Sequence, residues 1–126
     1  AKRSPVPLHP AILALRVDEN IFFAAASQIE DRIVGRALRR RGITDLLLAC
    51  GSVNRIDSTG LAMLQRMSET LADLGIRFNL SEIKGPLMQE LLATGLADNI
   101  SGNIYLSNDK AMRALTGFSD SSREEQ

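Results

Sequence analysis

Val53-Asn54-Arg55-Ile56-Asp57-Ser58-Thr59-Gly60-Leu61 is the stretch on which the fold turns. Ahead of it, Asp45 to about Val53 is nearly all apolar, with Leu46-Leu47-Leu48-Ala49-Cys50 at its centre, the pattern of a strand covered on both faces. Behind it, Leu61, Leu64, Met67, Leu71 and Leu74 recur at helical spacing, with Gln65, Arg66, Glu69 and Asp73 on the outer side and Gly75 as the stop. The chain thus passes from a central strand into a helix running from about Ser58 to Leu74. Two readings of the junction stay open. In the structural one, Ile56 completes the core, Asp57 or Ser58 caps the helix and Gly60 lets its first turn pack closely. In the functional one, exposed N–H groups and the helix dipole favour an anion, so a phosphate carried by Ser58 or Thr59 would sit where the field welcomes it.

Towards the N-terminus, Ile12 to Val17 reads as a first strand and Ile21-Phe22-Phe23-Ala24 as a second, joined by Asp18-Glu19-Asn20 into a hairpin. Ser27 and Glu30 stand at capping-box spacing. The helix predicted after them carries Ile29, Ile33, Val34, Ala37 and Leu38 on one face. Arg36, Arg39, Arg40 and Arg41 lie near its dipole-matched C-terminal end, and Gly42 is its stop. A charged helix end of this kind is ordinarily a solvated face; binding of anionic headgroups is the sharper reading.

Towards the C-terminus, Ile76 to Ile83 reads as a strand. Gly85-Pro86 opens a helix with Leu87, Met88, Leu91 and Leu92 as its buried stripe and Gly95 as its end. Ile104-Tyr105-Leu106 is a short strand, and Asn108 or Asp109 caps a last helix containing Ala111, Met112 and Leu115. The predicted order is ββαβαβαβα. It defines an α/β fold with a mixed, mostly parallel central sheet of four to five strands and about four helices.

Composition narrows the function classes. The 126 residues make one domain, with 44% hydrophobic and 24% charged side chains. Fifteen basic and fifteen acidic residues give zero net charge, which argues against nucleic acid held by phosphate neutralisation. The zero hides an asymmetry of +3 for residues 1–63 and −3 for residues 64–126. One His (His9) and one Cys (Cys50) cannot build a zinc site of the usual spacing or a His-dependent triad supported by local spacing. Cys50, inside an apolar run, reads as a small buried hydrophobe. Met63, Met67 and Met88 read as core packing. Neither Gly-x4-Gly-Lys-Ser/Thr nor Gly-x-Gly-x-x-Gly occurs, so no motif supports a cofactor or a bound nucleotide. No apolar run reaches the about 18–20 residues of a membrane span, and no signal peptide is visible, so the chain itself reads as soluble and cytosolic.

From about Ile12 to Leu115 the chain resembles a STAS domain, the module shared by sulfate transporters and anti-sigma factor antagonists. Ile56-Asp57-Ser58-Thr59-Gly60-Leu61 is similar to its central Asp-Ser/Thr-Gly motif. Leu74-Gly75-Ile76-Arg77 into Phe78-Asn79-Leu80 resembles its helix-to-strand return, and Lys84-Gly85-Pro86 to Thr94-Gly95-Leu96 resembles the next helix. Arg16-Val17-Asp18-Glu19-Asn20-Ile21-Phe22-Phe23-Ala24-Ala25-Ala26 is closer to the opening of SulP-type anion transporters than to the Gly-Glu-Leu/Ile-Asp turn of the antagonists. Ala25 stands where Asn is frequent, and Ala49 where the central strand often carries Asp.

The resemblance implies a non-enzymatic regulatory or protein-interaction domain on the cytoplasmic side of a SulP-type sulfate (or other anion) transporter. Its implied partners are the parent's own transmembrane region and an unidentified cytosolic protein, with no nucleic acid and with a homodimer of the parent left open. Residues 1–10, Pro-rich and basic, would be the linker from that membrane region, residues 11–117 the STAS domain, and residues 118–126 a polar tail. Ser58 matches the position phosphorylated in the antagonists, which gives the alternative: a free-standing anti-sigma factor antagonist switched at Ser58. Ser58 and Thr59 are thus the candidate regulatory residues, and Asn54, Arg55 and Asp57 the candidate partner contacts. STAS domains have also been proposed to bind nucleotides; no residue pattern here demands one.

Overall fold

A computed structural model describes residues 9–117. The lead-in (save His9 and Pro10) and the tail expected at the two ends lie outside that range. Four strands, β1 (Ile12–Arg16), β2 (Asp45–Ala49), β3 (Arg77–Ser81) and β4 (Ile104–Tyr105), pair in parallel in the order β1-β2-β3-β4. The helices are α1 (Phe23–Arg39), α2 (Ser58–Asp73), α3 (Gly85–Ala93), α4 (Leu96–Asn99) and α5 (Asn108–Thr116). The α/β class is as the alternating pattern predicts, but the four-stranded sheet is parallel throughout rather than mixed, and five helices are present among the described residues.

Side-chain alternation along each strand sorts the helices into two layers. Leu46 and Leu48 of β2, with Leu13, Phe78 and Leu80, join α1 to α4 through Ile29, Ile33, Met63, Leu64, Met67, Leu87 and Leu96. Leu47 points the other way and packs with Ile12 against Ala111 and Met112 of α5. All five residues of β2 are buried, as expected of an internal strand covered on both faces. Met63 and Met67 are core, and Met88 is half-buried. Gly75 and Gly95 take φ of 79° and 82°, the left-handed conformation that stops α2 and α3, whereas α1 already ends at the extended Arg40 and Gly42, φ 81°, forms the turn beyond it.

The expected hairpin does not form. Ile21 does not turn back on β1; its N–H donates to the Arg55 carbonyl at 3.0 Å and its own carbonyl accepts from Asp57 N–H at 3.2 Å, a single parallel bridge beside Ile56. The Asn20 side chain fixes this choice, its Oδ1 accepting the N–H groups of Asn54 and Arg55 at 2.9 and 3.0 Å. Helix α1 then starts at Phe23, capped by Phe22 without a side-chain hydrogen bond. Ala24-Ala25-Ala26, of the highest helix propensity, extends it upstream of the expected Ser27 cap. Ser27 is exposed within α1, and Glu30 pairs with Arg66 of α2 at 2.7 Å instead of closing a capping box.

Smaller differences follow from packing. Leu38 and Leu92 have helical spacing for the core, yet lie exposed in the last turns of α1 and α3. Ser107, one residue before the expected choices, caps α5 by accepting from Lys110 N–H at 3.1 Å. After Gly95 the chain makes the additional turn α4, which carries Leu96 into the core.

Candidate functional site at the start of helix α2

In a parallel sheet the carboxyl ends of the strands and the N-termini of the following helices share one edge, where open α/β folds place their sites. Ser58 and Thr59, the first two residues of α2, lie exposed at this edge. Asp57 is the N-cap: one carboxylate oxygen accepts Gly60 N–H at 2.8 Å, and the other accepts Phe23 N–H, at the head of α1, also at 2.8 Å. The N–H bonds from Gly60 and then Phe23 hold this carboxyl below the usual carboxylate range, so it stays charged between two helix N-termini.

Gly60 makes the junction tight. A Cβ there would lie 2.2 Å from the Ile21 carbonyl oxygen and 2.7 Å from Ile56 Cγ2. Beside it, Asn54 and Arg55 are exposed; Asn20 holds their backbone, and Lys84 Nζ donates to Asn54 Oδ1 at 2.6 Å. Arg16 donates twice to Asp18, at 2.8 Å each, and so braces the loop leading to Asn20.

The structure therefore brings the five sequence-singled residues, Asn54, Arg55, Asp57, Ser58 and Thr59, onto one edge. Asp57 differs from the others in role: both its oxygens are committed to backbone, which makes it the fixture rather than a free contact. Two residues outside that set join the surface. Phe22 is 40% and Phe23 74% exposed at the head of α1. Reading them as a strand hid this, since a hairpin strand would have buried one of the pair. The signal was the alanine run behind them.

Chemically, this edge offers hydroxyls, an amide, a guanidinium and two aromatic rings on a rigid base. Among the described residues no group of three or more His, Cys, Asp and Glu side chains is placed to hold a metal ion. The described residues also contain no helix long and apolar enough to cross a membrane. A cavity of about 200 Å³ lies beside α5 and is lined by Asp45, Arg77, Asn79, Asn103 and Tyr105. Its buried polar groups are already paired: Asp45 with Arg77 and Asn79, and Asn79 Oδ1 with Asn103 N–H at 2.9 Å.

A parallel α/β sheet with an exposed Ser-Thr pair at a braced strand-to-helix junction defines a small module presenting one polar, aromatic-flanked edge. The STAS domain profile matches residues 4–111, and the chain belongs to that family. It is 27% identical over 121 residues to sulfate transporter 2.1 of Arabidopsis thaliana, covering 86% of this chain but only 18% of that protein. Among solved structures it is similar to the SulP transporter STAS domain of Vibrio cholerae (TM-score 0.71, 24% identity, 88% of this chain and 86% of that one). It is also similar to the unphosphorylated anti-sigma factor antagonist SpoIIAA (TM-score 0.62, 16% identity, 89% of this chain and 96% of that one). The fold is thus common to both branches.

Proposed function

We propose that this chain is the cytoplasmic regulatory and protein-interaction domain of a SulP-type membrane transporter of sulfate or another anion, and that it is not an enzyme. The observation that carries the reading is the edge at the head of α2. Ser58 and Thr59 stand exposed beside Phe22, Phe23, Asn54 and Arg55, while Asp57 and Gly60 fix the backbone beneath them. Such a surface is pre-organised, so a partner pays little ordering entropy to bind it. Likeness to a sulfate transporter over most of this chain supports the transporter branch. The partners on this reading are the parent's own transmembrane region and a cytosolic protein, with the parent free to be a homodimer. No nucleotide or other cofactor is required.

The test has two parts. The reading frame upstream of Ala1 should encode a series of apolar spans of about 20 residues each; its absence removes the transporter assignment. Phe23→Ser and Arg55→Glu, both at exposed positions, should abolish capture of the cytosolic partner while leaving the circular dichroism spectrum unchanged.

The alternative, an anti-sigma factor antagonist switched at Ser58, is favoured by one feature. Ser58 is exposed at the first position of α2, where the dipole stabilises an added phosphate. Incubation with a cognate serine kinase should then add one phosphate by mass, and Ser58→Ala should abolish it.

A further inference from the structure

At the other end of α2, about 24 Å from Ser58 by helix rise, a second surface combines cations with exposed apolar side chains. Leu38 of α1 is 63% exposed and Leu74, after α2, 46%. With Ala37, Arg40, Ile43 and Ile76 they line a shallow groove of about 180 Å³. Arg36 and Arg39, in the last turn of α1, and Arg41 just after it are exposed at the same end of the domain and have no ion pair among the described residues, whereas Arg40 donates to the His9 carbonyl.

Local charge does not balance there. The C-terminal dipoles of α1 and α2 each amount to about half a negative charge, and Asp73 adds one more. The Arg77–Asp45 pair is internally neutral. Four arginines therefore exceed about two opposing charges, leaving a surplus of about two positive charges at this end of the domain. Dipole matching accounts for only part of the cluster.

We infer that this end of the domain docks on an anionic phospholipid surface, Leu38 and Leu74 entering the headgroup boundary while Arg36, Arg39 and Arg41 meet the phosphates. Cations that share one end of the domain with exposed leucines complement a charged surface with an apolar layer beneath it; a purely polar polyanion would leave the leucines unused. The docking does not depend on what binds at Ser58, because the two surfaces occupy opposite ends of α1 and α2.

The test is cosedimentation of the full chain with vesicles of phosphatidylcholine containing phosphatidylglycerol, against pure phosphatidylcholine. Binding to the anionic vesicles only, weakening as salt rises, is expected. Arg39→Gln and Arg41→Gln should each reduce partitioning about fivefold, and Leu38→Gln should reduce it with little change in salt dependence. Absence of binding, equal binding to neutral vesicles, or unaltered binding by the folded triple variant R36Q/R39Q/R41Q overturns the inference. So does polyglutamate or RNA that binds this surface and is not displaced by the vesicles. Loss of partner capture through Phe23→Ser should leave the vesicle result untouched, which separates the two proposals.

Discussion

The carboxylate of Asp57 accepts the backbone N–H of Phe23, 34 residues earlier in the sequence, while also capping its own helix through Gly60. One side chain therefore satisfies an orphan donor at the start of each of two helices and fixes how α1 and α2 enter the same edge. Asp57→Ala should lower the melting temperature by several degrees and speed amide exchange at Phe23 and Gly60; Asp57→Asn, which keeps one acceptor oxygen, should lose less. Because the folded carboxyl titrates below its unfolded value, its contribution is present above the unfolded pKa and fades as pH falls through the folded one. Melting curves between pH 7 and pH 2 should therefore show a shallower acid limb for Asp57→Asn.

Gly60 and Gly35 give a paired prediction with opposite signs. Both lie in helices, where alanine is intrinsically favoured by about 1 kcal/mol. A Cβ at Gly35 meets nothing within 4 Å, so Gly35→Ala should stabilise by about 0.5–1 kcal/mol. At Gly60 the same atom meets the Ile21 carbonyl at 2.2 Å, backbone that is itself bonded to Asp57. Gly60→Ala should destabilise by about 1–3 kcal/mol in urea denaturation.

The pattern around these glycines also marks what the sequence could disclose. The apolar run of β2 and the helix from Ser58 were legible because each depends on local spacing, and Asp57 was one of the two caps the junction offered; the strand itself stops at Ala49 rather than near Val53, and Ile56 makes only an isolated bridge. The false hairpin at Ile21 arose because Ile12–Val17 and Ile21–Ala24 are both short apolar runs about a turn, which local pattern cannot distinguish from a strand followed by a helix. What decided it was non-local: Asn20 Oδ1 bonded to Asn54 and Arg55, and Phe23 N–H bonded to Asp57. The exposure of Leu38 and Leu74 was hidden for a similar reason, since helical period says which face a residue shares but not where the covering element ends.

Asp45 is a buried carboxylate at the start of β2, met by Arg77 at 2.9 Å through both oxygens and by Asn79 at 3.2 Å. Burial pushes its pKa up; hydrogen bonds from Arg77, Asn79 and Thr44 outweigh that and hold it below the ordinary value. Its stabilising contribution is thus present above the unfolded carboxylate pKa and lost as pH falls through the folded one. The Arg77 side chain is 61% exposed, so solvent screens the pair. Arg77→Ala should still cost about 1–3 kcal/mol, since it withdraws two donors from a buried charge. In thermal melts the stability lost by Arg77→Ala should be greatest near neutral pH and shrink as pH falls through the folded Asp45 pKa, because protonation removes the charge that Arg77 neutralises.

Cys50 follows β2 and is 1% exposed, its thiol pushed by burial up to about 12. At pH 8 the native thiolate fraction is then about one in ten thousand, and access is blocked as well. An alkylating reagent should therefore label Cys50 only through opening of the core around Leu48 and Leu80, and at low reagent concentration its rate should follow the equilibrium population of open molecules. Asp57→Ala and Gly60→Ala should accelerate labelling about tenfold for each 1.4 kcal/mol of stability lost, while Ser58→Ala, at an exposed position without a capping role, should not. Mass measurement after timed quenching gives the rate. Rapid labelling of the folded wild-type chain would mean that Cys50 is reached by a local motion of the strand-to-helix loop, and that the edge carrying Ser58 opens independently of the core.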